Sequence, residues 1–173
     1  LFALHSGCRI SEILNLQWSD IDFLNMLINI RNKENFRTKS GKNRQIPITN
    51  SLLEVFNKIK QIQNNIIHIY NANGYVFVSS KFKTKYNRST IAEKFKEYLR
   101  LLNLPEKYHF HCLRHTYISN LVRAGININY IKQLGGHSDI KTTERYVHIS
   151  INDIKQALNS INWGDKNAAE LSY

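Results

Sequence analysis

Cysteine, proline and long apolar runs are scarce in this chain. The two cysteines among 173 residues, Cys8 and Cys112, form no CxxC pair, so neither a disulfide framework nor a zinc–thiolate site is indicated, and a reducing intracellular setting fits. With two prolines and seven glycines, no Pro-, Gly- or Ser-rich linker divides the sequence. The apolar stretches extend only a few residues and no signal-peptide layout opens the chain, so neither a membrane span nor export is supported. Acidic residues are also few: 13 against 24 Lys and Arg, a formal charge of +11. That balance is the footprint of a protein that meets phosphate backbones, with a generally basic surface as the bland alternative.

At 42% hydrophobic, the length suits one domain with its own core. The start at Leu1, within what reads as a helix, is taken as the sign of a fragment of something longer. Apolar residues Ile10, Ile13 and Leu14 have helical spacing, Gly7 marks a turn between two helical pieces, and Arg9 falls at a helix start. From 21 to 48 the pattern changes to β-like runs, MLINI and RQIPI, around the turn-forming TKSGKN, which predicts a small antiparallel sheet. Leu52, Phe56, Ile59 and Ile66 line one face of a helix that Asn50 or Ser51 can cap. A short strand at YVFVSS, a basic loop with Lys81, Lys83, Lys85 and Arg88, and a helix over Ile91 to Leu102 ended by Pro105 come next. Three shorter helices then follow: His111 to Arg123, Asn129 to Leu134, and Asp139 to Ile149. A stripe at Ile151, Ile154 and Leu158 predicts one more. The fold class is α+β, mainly α: a helical bundle with a small antiparallel sheet near residues 21–48.

Four pieces of sequence can carry chemistry. Arg9 and Glu12 in GCRISEILNL stand three apart, the spacing of an ordinary helical ion pair. Lys39 lies in TKSGKNRQIPI, where a flexible amine on a hairpin can reach a ligand. In HCLRH, His111, Arg114 and His115 crowd one helical turn, and an anion among them would relieve their mutual repulsion. A metal reading of the same histidines lacks the HExxH glutamate and a third ligand, so no metal is assigned. In LGGHSDIKTTERYVHIS, His137 follows two glycines and Tyr146 stands nine positions later. Each of these residues, taken singly, has a structural explanation.

Together, in this order, they resemble the catalytic signature of the tyrosine recombinase (phage integrase) family, across about Leu1 to Ser150. The resemblance implies Arg9 and Arg114 as the arginine pair, His111 and His137 as the paired histidines and Lys39 as the hairpin lysine. It further implies Glu12 as the acidic support of Arg9 and Tyr146 as the nucleophile; His115, readable as a hydrogen-bonded packing histidine, is counted as a supporting residue. Lys42 competes with Lys39, although counting back from Pro47 favours Lys39. Two departures are visible: Cys8 replaces a larger aliphatic residue, and Leu134-Gly135-Gly136 has one glycine more than usual.

Such chemistry wants these side chains. In-line attack on a phosphodiester builds negative charge on non-bridging oxygens, which two always-charged guanidinium forks and a histidine donor stabilise. A tyrosine with an ordinary pKa of about 10 needs positive surroundings or a base, the task assigned to His111, and the departing 5′ oxygen needs an acid, the task assigned to Lys39. The expected function is a site-specific recombinase or integrase of a mobile element, working through a 3′-phosphotyrosine link with no cofactor and no metal. A type IB topoisomerase-like enzyme and a catalytically silent DNA-binding accessory factor are the alternatives. The implied partner is double-stranded DNA, with Lys42, Arg44, Lys81, Lys83, Lys85 and Arg88 as DNA-binding residues and four protomers in a synaptic assembly. Residues 1–173 are read as a catalytic domain whose own start and upstream DNA-binding domain are absent. The expected location is the cytoplasm of a prokaryote, or of a phage host, in association with the nucleoid. Whether the stripe at Ile151, Ile154 and Leu158 packs in cis or on a neighbouring protomer is left open.

Overall fold

The computed structural model describes residues 1–66, 74–79, 84–136 and 141–144. Two short helices open the chain, α1 (Phe2–Ser6) and α2 (Ile10–Leu14), separated by Gly7. Gly7 ends α1 at φ 62° and ψ 12°, the left-handed conformation that glycine adopts at no steric cost. A turn of 3-10 helix (Trp18–Asp20) then leads into β1 (Ile21–Asp22), β2 (Leu27–Ile30) and β3 (Arg44–Pro47). These strands form an antiparallel sheet in the order β1-β2-β3, with Ile28 opposite both Ile21 and Ile46.

Strand side chains alternate between faces, so Ile28 and Ile30 turn inward with Ile46 and Ile48, all 6% exposed or less. Helix α3 (Asn50–Ile66) covers this inner face. Its Leu52 and Phe56 are fully buried among Phe2, Ile28 and Ile46 in one apolar cluster, and Phe56 meets the rings of Phe2, Trp18 and Phe23 at 5.6, 6.0 and 5.7 Å. Burial of a residue of this size is worth about 1.5–3 kcal/mol. The hydroxyl that reaches the first turn of α3 belongs to Thr49, which accepts from the Leu52 amide, rather than to Asn50 or Ser51.

The predicted strand at YVFVSS is not a strand in its described part. Tyr75 and Val78 make only isolated bridges, to Gln17 and Lys85, while Val76 fills the core. The remaining helices are α4 (Arg88–Leu101), capped by Asn87, then α5 (His111–Arg123), α6 (Ile128–Gly135), capped by Asn127, and α7 (Lys141–Glu144). Helix α5 packs on α1, and α6 packs on both α5 and β3. The amino-terminal turn, the sheet edge and the end of α6 therefore meet in one place. The predicted stripe at Ile151, Ile154 and Leu158 lies outside the described residues, as does most of the predicted helix from Asp139 to Ile149. Among the described residues, no helix is long and apolar enough to cross a membrane.

Candidate active site

The carboxyl end of α6 organises the site. The last carbonyls of a helix lack intrahelical partners and sit at the negative end of its dipole, so cationic donors are favoured there. Here three successive carbonyls each receive an arginine. Leu134 O accepts from Arg44 Nε at 2.9 Å, Gly135 O accepts from Arg114 Nη2, and Gly136 O accepts from Arg9 Nη2 at 3.1 Å. Gly136 caps the helix at φ 60°, and a Cβ there would stand 3.0 Å from Arg44 Nη1. The second glycine of Leu134-Gly135-Gly136 thus permits both the left-handed cap and the close approach of Arg44. His137 is the next residue in the chain and, with Tyr146, Lys81 and Lys83, lies outside the described residues.

Glu12 is the counterpart of the arginines. It is 2% exposed and takes both donors of the Arg44 fork, Nη1 at 2.8 Å and Nη2 at 2.7 Å. It also accepts from Arg9 Nη1 at 3.1 Å and from the Arg9 amide at 2.8 Å, the latter as a capping box at the start of α2. Arg9 and Glu12 are therefore joined as cap and third residue. Burial alone would raise the Glu12 pKa, but the hydrogen bonds and charge of Arg44, with help from Arg9, hold it below the ordinary carboxylate range. Burial likewise opposes the charge on Arg44, and Glu12 outweighs it, keeping that pKa above its ordinary value. Arg44, expected from the sequence as a DNA-binding residue, is a buried strut between β3, α2 and α6. The signal was present in RQIPI, where period two sets Arg44 on the inward face with Ile46 and Ile48.

Arg114 comes from α5 and is also buried, with Nη1 donating to Gly7 O at 2.6 Å. Burial, followed by the nearby charge of Arg9, lowers its pKa to about 10, so the guanidinium stays charged at neutral pH. Gly7 thereby gains a role beyond that of a turn. A Cβ at Gly7 would lie 2.2 Å from Cδ1 of Tyr117, so only glycine lets the α1–α2 turn sit against α5 and present its carbonyl to Arg114.

His111 begins α5, and its ring meets that of His115 edge to face at 4.9 Å. Partial burial, then His115, Arg114 and Arg9, push the His111 pKa down to about 4, which leaves the ring neutral at pH 7. His115 is lowered as well, by burial and by His109 and Arg114. Among the described residues, no group of three or more His, Cys, Asp or Glu side chains is arranged to hold a metal ion.

Lys39 and Lys42 are exposed on the turn between β2 and β3. Lys42, with Arg44, faces α6 across a cleft. Asn32, which sequence reasoning passed over, braces this turn: its Oδ1 accepts from the Thr38 amide at 2.8 Å and its Nδ2 donates to Gly41 O at 2.6 Å. Lys85 and Arg88 stand elsewhere. Lys85 donates to Asn15 Oδ1 at 2.8 Å, and Arg88 is exposed in the first turn of α4. The structure thus gathers Arg9, Glu12, Arg114 and His111 with Arg44, and does not bring Lys85 or Arg88 to them.

A model of the phage integrase family matches residues 1–152. The chain belongs to the phage integrase family. Among the relatives of this integrase-family chain is the tyrosine recombinase XerA of Pyrococcus furiosus, 32% identical over 159 residues that cover 91% of this chain and 51% of the relative. A crystal structure of a XerA recombinase superposes with a TM-score of 0.72 at 25% identity, covering 91% of this chain and 54% of the other. The Tn1549 transposon integrase, solved in complex with transposon right end DNA, shares the fold at a TM-score of 0.74 and 22% identity, over 91% of this chain and 56% of that one. The expected α+β, mainly helical architecture is that of tyrosine recombinase catalytic domains. The chain spans about half the length of the curated relatives it matches.

Proposed function

We propose that this integrase-family chain is the catalytic part of a site-specific DNA recombinase that cleaves and rejoins duplex DNA through a 3′-phosphotyrosine intermediate. The observation that carries this reading is the convergence of Arg9 and Arg114 on adjacent carbonyls, Gly136 O and Gly135 O, from positions far apart in the chain. Fixed guanidinium groups pre-aimed at one region suit a reaction whose transition state spreads charge over phosphate oxygens. Family membership and the DNA-bound state of the Tn1549 integrase support DNA as the substrate.

In the proposed reaction, Tyr146 Oη attacks the scissile phosphorus and the bond to the 5′ oxygen breaks. Neutral His111 manages the phenolic proton, Lys39 delivers one to the departing 5′ oxygen, and His137 donates to a non-bridging oxygen. Attack by a 5′-hydroxyl on the phosphotyrosine reverses these steps and reseals a strand, so the bond energy is conserved. Two duplexes and four protomers would then be required for strand exchange.

The test is a duplex nicked close to the cleavage position, offered to the full-length protein. A covalent protein–DNA adduct is expected, and none with Tyr146→Phe. An adduct that survives that substitution refutes the mechanism. Relaxation of any supercoiled plasmid without sequence preference refutes site-specific exchange.

A further inference from the structure

Next to the arginine cluster, the turn between β2 and β3 and the outer face of α6 enclose a cleft of about 200 Å³. Ser40, Lys42 and Arg44 line it from the hairpin, and Asn129, Lys132 and Gln133 from α6. Ligand pockets for organic molecules usually run to about 300–1,000 Å³, so this cleft is small for a nucleoside. It still exceeds the roughly 30 Å³ share of a water molecule several times over, which leaves room for a phosphate group.

Three features define what the cleft would hold. Ser40 Oγ is buried and makes no hydrogen bond, whereas a buried hydroxyl in a folded protein is ordinarily paired. Lys42 and Lys132 enter from opposite walls and, among the described residues, form no ion pair with a carboxylate, while the charge on Arg44 is already balanced by Glu12. Among the described residues, the lining contains no acidic side chain. Two uncompensated ammonium groups and an orphan hydroxyl, with the amides of Asn129 and Gln133 beside them, make a site for a compact anion.

We propose that this cleft is a second phosphate site, which takes a DNA backbone phosphate other than the one bound at Arg9 and Arg114. The proposal rests on the reading that duplex DNA is the substrate. Ser40 is the neighbour of Lys39 in the chain. A phosphate that joins Ser40 and Lys42 to Lys132 fixes the turn from which Lys39 extends, and so couples correct seating of the duplex to the position of the proposed acid.

The experiment uses full-length protein and a duplex carrying its cleavage site. For B-DNA each neutralised phosphate contributes about 0.9 to the slope of log affinity against log salt. Lys132→Gln is expected to reduce that slope by about one unit and to slow single-turnover cleavage severalfold at saturating DNA. Duplexes in which single phosphates are replaced by neutral methylphosphonates locate the contact. At one position the replacement weakens binding by wild type severalfold more than it weakens binding by Lys132→Gln, and Lys42→Gln shows the same reduced sensitivity at that position. Lys58→Gln, an exposed change on α3, keeps its sensitivity at that position. If Lys132→Gln matches wild type in salt slope, or loses as much affinity as wild type at every methylphosphonate position, the second phosphate site is refuted. Failure of the wild-type protein to bind or cleave DNA at all refutes the functional reading instead.

Discussion

His111 illustrates how a single side chain is tuned by its neighbours. With its pKa pushed to about 4 by partial burial and by His115, Arg114 and Arg9, the ring is neutral at pH 7 and available to accept a proton. An anion placed among these groups would reverse the balance and raise the pKa. NMR titration of the DNA-free protein is therefore expected to show a His111 midpoint well below the ordinary value of about 6.5, and an upward shift when duplex DNA is added. An ordinary midpoint without DNA would sink this account. The sign for stability follows from linkage. The folded pKa lies below the unfolded one, so the contribution of His111 is fully present above the unfolded value and is lost as pH falls through about 4.

At the scale of the element, the turn between β2 and β3 carries the proposed acid without regular structure of its own. Its shape depends on Asn32, whose side chain bonds the Thr38 amide, the Thr38 hydroxyl and Gly41 O. Asn32→Ala removes these contacts while leaving β2, β3 and the core intact. Because misplacement of a catalytic group by about 1 Å can cost on the order of 10² in rate, single-turnover cleavage should fall about tenfold or more, with DNA affinity changed less than about threefold. Cleavage at the wild-type rate would show that the turn does not position Lys39. Helix α6 works the other way: its end is tied to the rest of the site by arginines from β3, α5 and the start of α2, which occupy its last carbonyls.

For the molecule as a whole, the buried Glu12–Arg44 pair ties together segments that the chain keeps far apart. Breaking a buried pair by removing one partner costs about 3–5 kcal/mol because a charge is left uncompensated. Urea denaturation is expected to show losses of this size for Glu12→Gln and for Arg44→Met. The double variant should lose less than the sum of the two by about 1–3 kcal/mol. Strict additivity would mean that the two side chains do not act as a unit.

The sequence alone determined much of this. Apolar spacing defined α3, α4 and α5, the β-like runs located the sheet, and the ordered motifs from Arg9 to Tyr146 pointed to the family. Those signals are local, because helical and strand periodicities arise within a few residues. Other features were set only by the tertiary structure. The YVFVSS run lacks a partner strand and forms isolated bridges among the described residues. Arg44, a basic residue in a basic hairpin, became a buried strut because β3 presents that face to Glu12 and to α6. The site is assembled from carbonyls at 134, 135 and 136 and guanidinium groups at 44, 114 and 9. Backbone carbonyls leave no mark on side-chain identity, and contacts across such separations exist only once α6 has docked against β3 and α5.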